Sequence, residues 1–395
     1  MRHSRHCRRY SSEKFSGYEK IFPACAWAYG KFENAVGRPR ISSLQHPALQ
    51  TKLIVDDNGE YRQVYDEKLF TPIEITNLSD AEFDELKSKL VKTFHILDGE
   101  CIWRGGIYNT PSAKYLFLDF HHIMMDGFSE QVILNELYAC YSDENYKLPQ
   151  DFYFYLPDAA ARAKGTKNYE EAAAYCDKIF RSEISLSEEE MPLKPDHEVT
   201  EMTGAVKMFP LEIPKEKLRG NVAYTTACAL AVAAFNNTNR AFVRFTHYGR
   251  SDSLSLSSVG LFANDYPILL VEEDDDTPEK LIAKVQEQVS FVEAHINYPY
   301  FEGNISNLAR TVRFIYHKDI TSLGNFAKLI QESIELETNN ADVTDSLFGT
   351  SVIDKSSNEK LIFLERYAGN CYTDESEERF RKLFIDAAKY LAGIK

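Results

Sequence analysis

The chain has 395 residues, with 45 Lys and Arg against 60 Asp and Glu, giving a formal net charge of −15. A hydrophobic content of 44% is that of a globular protein and excludes global disorder. The acidity argues against nucleic-acid binding and against an anionic membrane surface. The longest purely apolar run, Ala227 to Phe235, is far short of the roughly 20 residues that span a bilayer.

At this length, two domains of roughly 150–200 residues each are expected rather than one core. The seven cysteines are scattered, odd in number and without a CxxC pair, so neither a zinc ribbon nor a disulfide framework is indicated. Free thiols in a reducing cytosol are the expectation.

The first forty residues carry six Arg and three Lys against three Glu, inverting the balance of the rest. An Arg- and Ser-rich, acid-poor start is of the transit-peptide type, and the lack of an apolar h-region excludes a secretory signal. From His46 the pattern becomes regular. Thr51–Tyr65 reads as two short strands around Asn58-Gly59, a type I′ hairpin signal. Ser79 and Glu82 form a capping box, and Leu78 with Phe83 a hydrophobic staple. The helix they open places Phe83, Leu86, Leu90 and Phe94 on one face. Tyr115–Phe120, nearly all apolar, reads as a central strand covered on both faces. A second helix follows, with Phe128, Ile133, Leu137 and Tyr141 on one face. A helix from about Asn168 to Ile184 leads into 185–202, the best linker candidate.

The second half repeats the style. Strands are expected over Val206–Ile213, Ala241–Tyr248, Thr311–Tyr316, Ser346–Ile353 and Leu361–Tyr367, the last two paired. Thr225 is a candidate cap for an Ala-rich helix to Phe235. Thr277-Pro278 starts a helix with Leu281, Val285, Val289 and Val292 inward. A last helix starts near Asp374, with Phe380, Leu383, Ala387 and Leu391 inward. Strands alternate with helices in both halves, which predicts an α/β fold in two subdomains.

The sharpest signal is His121-His122-Ile123-Met124-Met125-Asp126-Gly127, placed where a buried strand turns into a helix. Successive strand side chains point to opposite faces, so one histidine is expected in a cleft and the other in the core. Asp126 falls near a helix start, where a carboxylate is favourable. Gly127 permits a tight turn and a close approach to its N–H. A metal site is disfavoured: His-His-x3-Asp lacks the same-face i, i+4 histidines of a zinc helix, and no further His or Cys cluster is nearby.

HHIMMDG resembles the HHxxxDG motif of the condensation domains of nonribosomal peptide synthetases, within the chloramphenicol acetyltransferase-like superfamily. His46–Gln63 is similar to the family's segment beginning HPALR, with Gln50 where Arg is common. Met191–His197 resembles its crossover between the halves. Thr246–Arg250 and Val259–Leu270 look like its later motifs. The resemblance covers about 46–395. It implies two similar α/β subdomains in a V with a central active-site tunnel: a subdomain over 46–184, a crossover at 185–202 and a second subdomain over 203–395. Residues 1–45 do not resemble the family's opening strand and helix, and are expected to add little to the core.

The implied reaction is aminolysis of a thioester, joining an acyl group on one carrier's phosphopantetheine to an amine on another. His122 is the implied catalytic residue, as base or as a hydrogen-bonding anchor for the amine. His121, Asp126, Gly127 and Arg250 shape the site; Asp126 pairs with Arg250 across the two subdomains, and the Gly127 N–H is a candidate oxyanion donor. Asn264 and Tyr266 are weaker candidates for lining the substrate tunnel. No metal or permanently bound cofactor is implied. The partners would be carrier proteins or neighbouring synthetase modules, in the cytoplasm. Two alternatives stay open: an O- or N-acyltransferase using coenzyme A or a carrier-bound donor, and a degenerate domain that only docks carriers.

Overall fold

The computed structural model describes residues 25–29, 46–57, 59, 61–69, 73–90, 92, 94–95, 97, 99, 101–143, 146–147, 151, 164–181, 193–198, 204–250, 253–296, 298, 300, 311–318, 333–336, 347–354 and 360–394. They fall into two compact units that interleave along the chain. The first takes the described residues within 1–159, 250–262 and 322–341; the second takes those within 160–249, 263–321 and 342–395. A division at one crossover does not capture this, because two later segments return to the first unit.

The first unit holds a five-stranded sheet. Its strands are β1 (Cys25–Tyr29), β4 (Glu74–Asn77), β5 (Trp103–Asn109), β6 (Lys114–Phe120) and β11 (Ser333–Leu336), in the order β11-β1-β6-β5-β4. β6 is central, antiparallel to β1 and β5. Its alternation serves two cores: Leu116, Leu118 and Phe120 enter one apolar cluster, and Phe117 packs with Phe83 and Leu90 in another. β1 lies within the segment expected to add little. Its backbone instead pairs with both β6 and β11.

The capping box forms as read. The Glu82 N–H donates to Ser79 Oγ (3.3 Å) and the Ser79 N–H donates to Glu82 Oε2 (2.7 Å). It opens α1 (Asp80–Leu90). That helix stops before Phe94, whose ring instead sits against Arg104 and His121. The hairpin of β2 (Thr51–Val55) and β3 (Tyr61–Tyr65) closes at Val55 opposite Tyr61. With Val55 paired to Tyr61, an odd number of residues separates the strands, which a two-residue turn at Asn58-Gly59 does not fit; the Gly59 N–H donates to Asp56 O (2.9 Å) at φ +77°. Asn58 lies outside the described residues. α2 (Gly127–Ser142) follows β6.

The second unit is a six-stranded sheet of β7 (Gly204–Leu211), β8 (Arg240–His247), β9 (Asn264–Val271), β10 (Val312–Lys318), β12 (Phe348–Asp354) and β13 (Leu361–Ala368). Their order is β7-β13-β12-β10-β8-β9, with β10 parallel to β8 and β12. Pro267 sits in β9 at the sheet edge, where a missing ladder donor is tolerated. α3 (Lys167–Arg181), α4 (Asn221–Asn236), α5 (Pro278–Ala294) and α6 (Asp374–Leu391) supply the rest of its core. Thr277 caps α5, accepting from Lys280 N–H. Thr225 is no cap: α4 starts a turn earlier, after Gly220 at φ +93°, and Thr225 is buried inside it. On α6 the buried apolar residues are Phe380, Phe384, Ala388 and Leu391; Leu383 and Ala387 pack at the margin.

The described part of the expected linker is anchored in the second unit. Leu193 is fully buried and its carbonyl accepts from Tyr372 Oη (2.7 Å). Asp196 accepts from the Thr373 N–H (2.7 Å) and Ser376 Oγ (2.8 Å) at the start of α6. The rest of 185–202 lies outside the described residues. Among the described residues no helix is long and apolar enough to cross a membrane.

Candidate active site

β6 ends at Phe120, so His121 and His122 both lie in the turn before α2. Strand alternation therefore does not separate them; the turn does. The His121 N–H donates to Ile102 O (2.9 Å), and His121 O accepts from the Met124 N–H (3.0 Å). The His121 ring is buried at 5% exposure, and its Nδ1 accepts from the Ile123 N–H (3.1 Å). That bond leaves the ring proton on Nε2. Burial, and secondly the charge of His122, pull the His121 pKa down to about 4. His121 is thus a neutral turn-forming group at physiological pH. His122, next in the turn, is half-buried.

Asp126 is the N-cap of α2. Its Oδ1 accepts from the Ser129 N–H (2.8 Å) and Ser129 Oγ (2.9 Å), and its Oδ2 accepts from the Phe262 N–H (2.9 Å). Gly127 is the first helical residue, exposed, with an N–H that has no intrahelical acceptor by geometry. A helix start gathers such N–H groups and favours negative charge, which suits it to a developing oxyanion.

Arg250 reaches this cap. Its Nη2 donates to Asp126 Oδ1 (3.1 Å) and Ser129 Oγ (2.7 Å). Nη1 donates to Ser258 O (2.7 Å) and to Ser255 O. The guanidinium lies against the rings of Phe262 (4.0 Å to the centroid) and Phe128 (4.7 Å). The arginine and aspartate side chains are 0% and 4% exposed. Ser129 Oγ also lies 2.7 Å from Gly260 O, which shares the hydroxyl's single proton with Asp126 Oδ1, and it accepts from the Gly260 N–H (2.9 Å). The pairing is not a bridge between the units. Segment 250–262 belongs to the first unit, so the pair is internal to it.

Asn264 and Tyr266 lie in the second unit. Asn264 opens β9, exposed, and its Oδ1 accepts from the Asp265 N–H (3.0 Å). Tyr266 is fully buried, donates to Ile296 O (3.3 Å), and meets Tyr300 edge-on. A ring so enclosed is a core element and does not line an open substrate path, which corrects the expectation for Tyr266.

Sequence reasoning missed a second set of buried charges. His46 is 3% exposed, with Nε2 at 2.7 Å from Glu136 Oε2 and Nδ1 at 2.7 Å from Asp151 Oδ2. His46 opens the HPALQ segment, and spacing along the chain does not join it to carboxylates 90 and 105 residues away. Ser129 had a usable signal: it stands three residues after a capping aspartate, where N-cap bonds land.

A family model of the condensation domain matches residues 40–389. Gramicidin S synthase 2 of Aneurinibacillus migulanus is 22% identical over 251 residues, covering 55% of this chain and 5% of that synthase. Bacitracin synthase 3 of Bacillus licheniformis is 24% identical over 279 residues, covering 62% of this chain and 4% of that synthase. The chain thus spans a small fraction of the length of these relatives. Among solved structures, the condensation domain from Monacolin K polyketide synthase superposes with a TM-score of 0.73 at 13% identity, covering 98% of this chain and 97% of that one. The epimerization domain from the third module of tyrocidine synthetase B gives 0.71 at 13% identity, covering both chains fully. At these identities the likeness establishes the fold, which condensation and epimerization domains share.

Proposed function

The chain belongs to the condensation-domain family, and on that footing we propose that it forms an amide bond between a thioester-borne acyl donor and an amine acceptor. Both substrates arrive on phosphopantetheine arms of carrier proteins or neighbouring synthetase modules in the cytoplasm. The amine nitrogen attacks the thioester carbon, the N–C bond forms, the C–S bond breaks, and the thiol leaves. An α-amine has a pKa near 8, so a useful fraction is already neutral at pH 7. His122 holds the amine by a hydrogen bond, accepts its proton as the tetrahedral species forms, and returns it to the departing sulfur. The Gly127 N–H faces the developing oxyanion. Asp126, Ser129 and Arg250 fix the start of α2, and His121 fixes the turn.

The observation that carries this reading is the contrast between the two histidines. His121 is buried, neutral and engaged by the turn's own backbone, while its neighbour stays half-buried at the head of a helix pinned by a charged cap. The test is His122→Ala with a loaded donor carrier and a loaded acceptor carrier, product read by mass spectrometry. Amide formation should fall about 10²–10⁴-fold, the usual contribution of a general base, with the thermal transition unchanged. Unaltered product formation removes His122 from the chemistry.

A further inference from the structure

His46 precedes a one-turn 3₁₀ helix (Pro47–Gln50) and joins pieces of chain that are distant in sequence. Glu136 stands on α2, the helix that Asp126 caps. Asp151 stands beyond that helix and accepts through Oδ2 from the Val259 N–H (3.0 Å) as well as from the ring. Val259 lies in the segment that brings Arg250 to Asp126.

Both ring nitrogens face carboxylate oxygens at 2.7 Å. A neutral imidazole donates from one nitrogen only, so satisfying both contacts calls for the imidazolium. The carboxylates are themselves 6% and 5% exposed. Among the described residues, the charges meeting here are Glu136, Asp151 and Asp126 against His46 and Arg250, whose guanidinium also feels Asp151. Tyr146 faces Glu136 from the chain beyond α2. With the ring neutral, one of the two carboxylates at 2.7 Å would face a ring lone pair instead of an N–H, a costly contact for a buried charge. Burial alone would lower the His46 pKa, but the hydrogen bonds and charges of Asp151 and Glu136 outweigh it and raise it to about 9.

We propose that His46 is a positioning residue of the active site: as an imidazolium it clamps Glu136 to Asp151, and through Asp151 and Val259 it fixes segment 250–262, on which Arg250 is mounted against Asp126. Loss of the ring loosens that mount and lets the start of α2, with His122 ahead of it, drift. The catalytic consequence rests on the amide-forming reading above; the clamp itself does not.

Two measurements on the full chain test the clamp without turnover. Nitrogen-15 NMR of the unmodified protein at pH 7 should show the His46 ring protonated on both nitrogens, with two slowly exchanging ring protons. A singly protonated ring overturns the proposal, whatever the variants do. Hydrogen exchange of His46→Ala should then be at least tenfold faster at the Val259 and Phe262 amides, with β12 and β13 of the second unit unchanged. Added imidazole below pH 7 should restore part of that protection, which a general loosening of the core would not predict. A folded variant with unaltered exchange at Val259 and Phe262 also overturns the proposal. If the clamp passes and His122→Ala leaves amide formation intact, the catalytic reading fails and the clamp stands.

Discussion

Two histidines of the first unit, both nearly fully buried, are shifted in opposite directions, and their pH signatures can be separated. The His46 pKa lies near 9 folded, against 6.5 unfolded. Its contribution is complete below pH 6.5, shrinks as pH rises toward 9, and is gone above that. His121 lies near 4 folded, against 6.5 unfolded. There the unfolded chain binds the extra proton, so stability is complete above 6.5 and lost as pH falls toward 4. Each span corresponds to about 3 kcal/mol at 1.36 kcal/mol per pH unit. Denaturant unfolding of the first unit should therefore show maximal stability around pH 6.5. His46→Gln should flatten the alkaline limb between 6.5 and 9 while leaving the acid limb. A limb that survives the substitution assigns the effect elsewhere. The two residues were unequally legible. The turn role of His121 follows from local contacts at i+2 and i+3; the motif marks the residue as shaping the site, but strand alternation is the wrong reason for its burial, because the strand ends at Phe120. The role of His46 depends on two carboxylates supplied by the tertiary fold, which spacing along the chain does not encode.

At the scale of elements, local signals carried furthest where one turn of chain contains the whole device. The Ser79–Glu82 capping box and the Thr277 cap formed because donor and acceptor are three residues apart. Periodicity was weaker where a helix ended early or began early, as at Phe94 and Thr225: hydrophobic spacing continues past the last helical residue, and a glycine at positive φ started α4 ahead of the threonine. The start of α2 combines both kinds of information. Asp126 as N-cap is local; Arg250 arrives from 124 residues away. Removing either partner leaves the other charged and desolvated, at typically 3–5 kcal/mol. Asp126→Ala and Arg250→Ala should each destabilise the first unit by about that amount. The double variant should cost clearly less than the sum, because the second removal takes away a charge already stranded. Ser129→Ala should cost about 1–3 kcal/mol, since its hydroxyl serves Asp126, Arg250 and Gly260 together. Additive losses in the cycle reject a coupled pair.

For the whole molecule, the sequence showed α/β alternation in two halves, and the strands and helices of the second unit fall close to where their apolar runs and caps put them. The interleaving was not legible. Residues 250–262 fold with the first unit through buried polar contacts, and β11 through backbone pairing, neither of which leaves a hydrophobic period to read. The same holds for β1. Its register runs Cys25 opposite Phe120 to Tyr29 opposite Leu116 on one side, and Ala26 opposite Leu336 to Tyr29 opposite Ser333 on the other. An internal strand of this kind cannot be deleted without exposing the ladder of β6, the strand that runs directly into His121. Ala28 sits opposite Phe117 and Ile334. Proline there has no N–H to give the ladder and is poorly accepted away from a sheet edge. Ala28→Pro should cost about 1–3 kcal/mol for the ladder bond it removes, which at 2–4 °C per kcal/mol for a unit of this size lowers the first transition by roughly 2–12 °C. A chain beginning at His46 should lose at least as much. Every strand of the second unit begins at or after Gly204, so its transition should hold in both variants, and calorimetry should resolve the two. An unchanged first transition would mean that the sheet does not depend on β1.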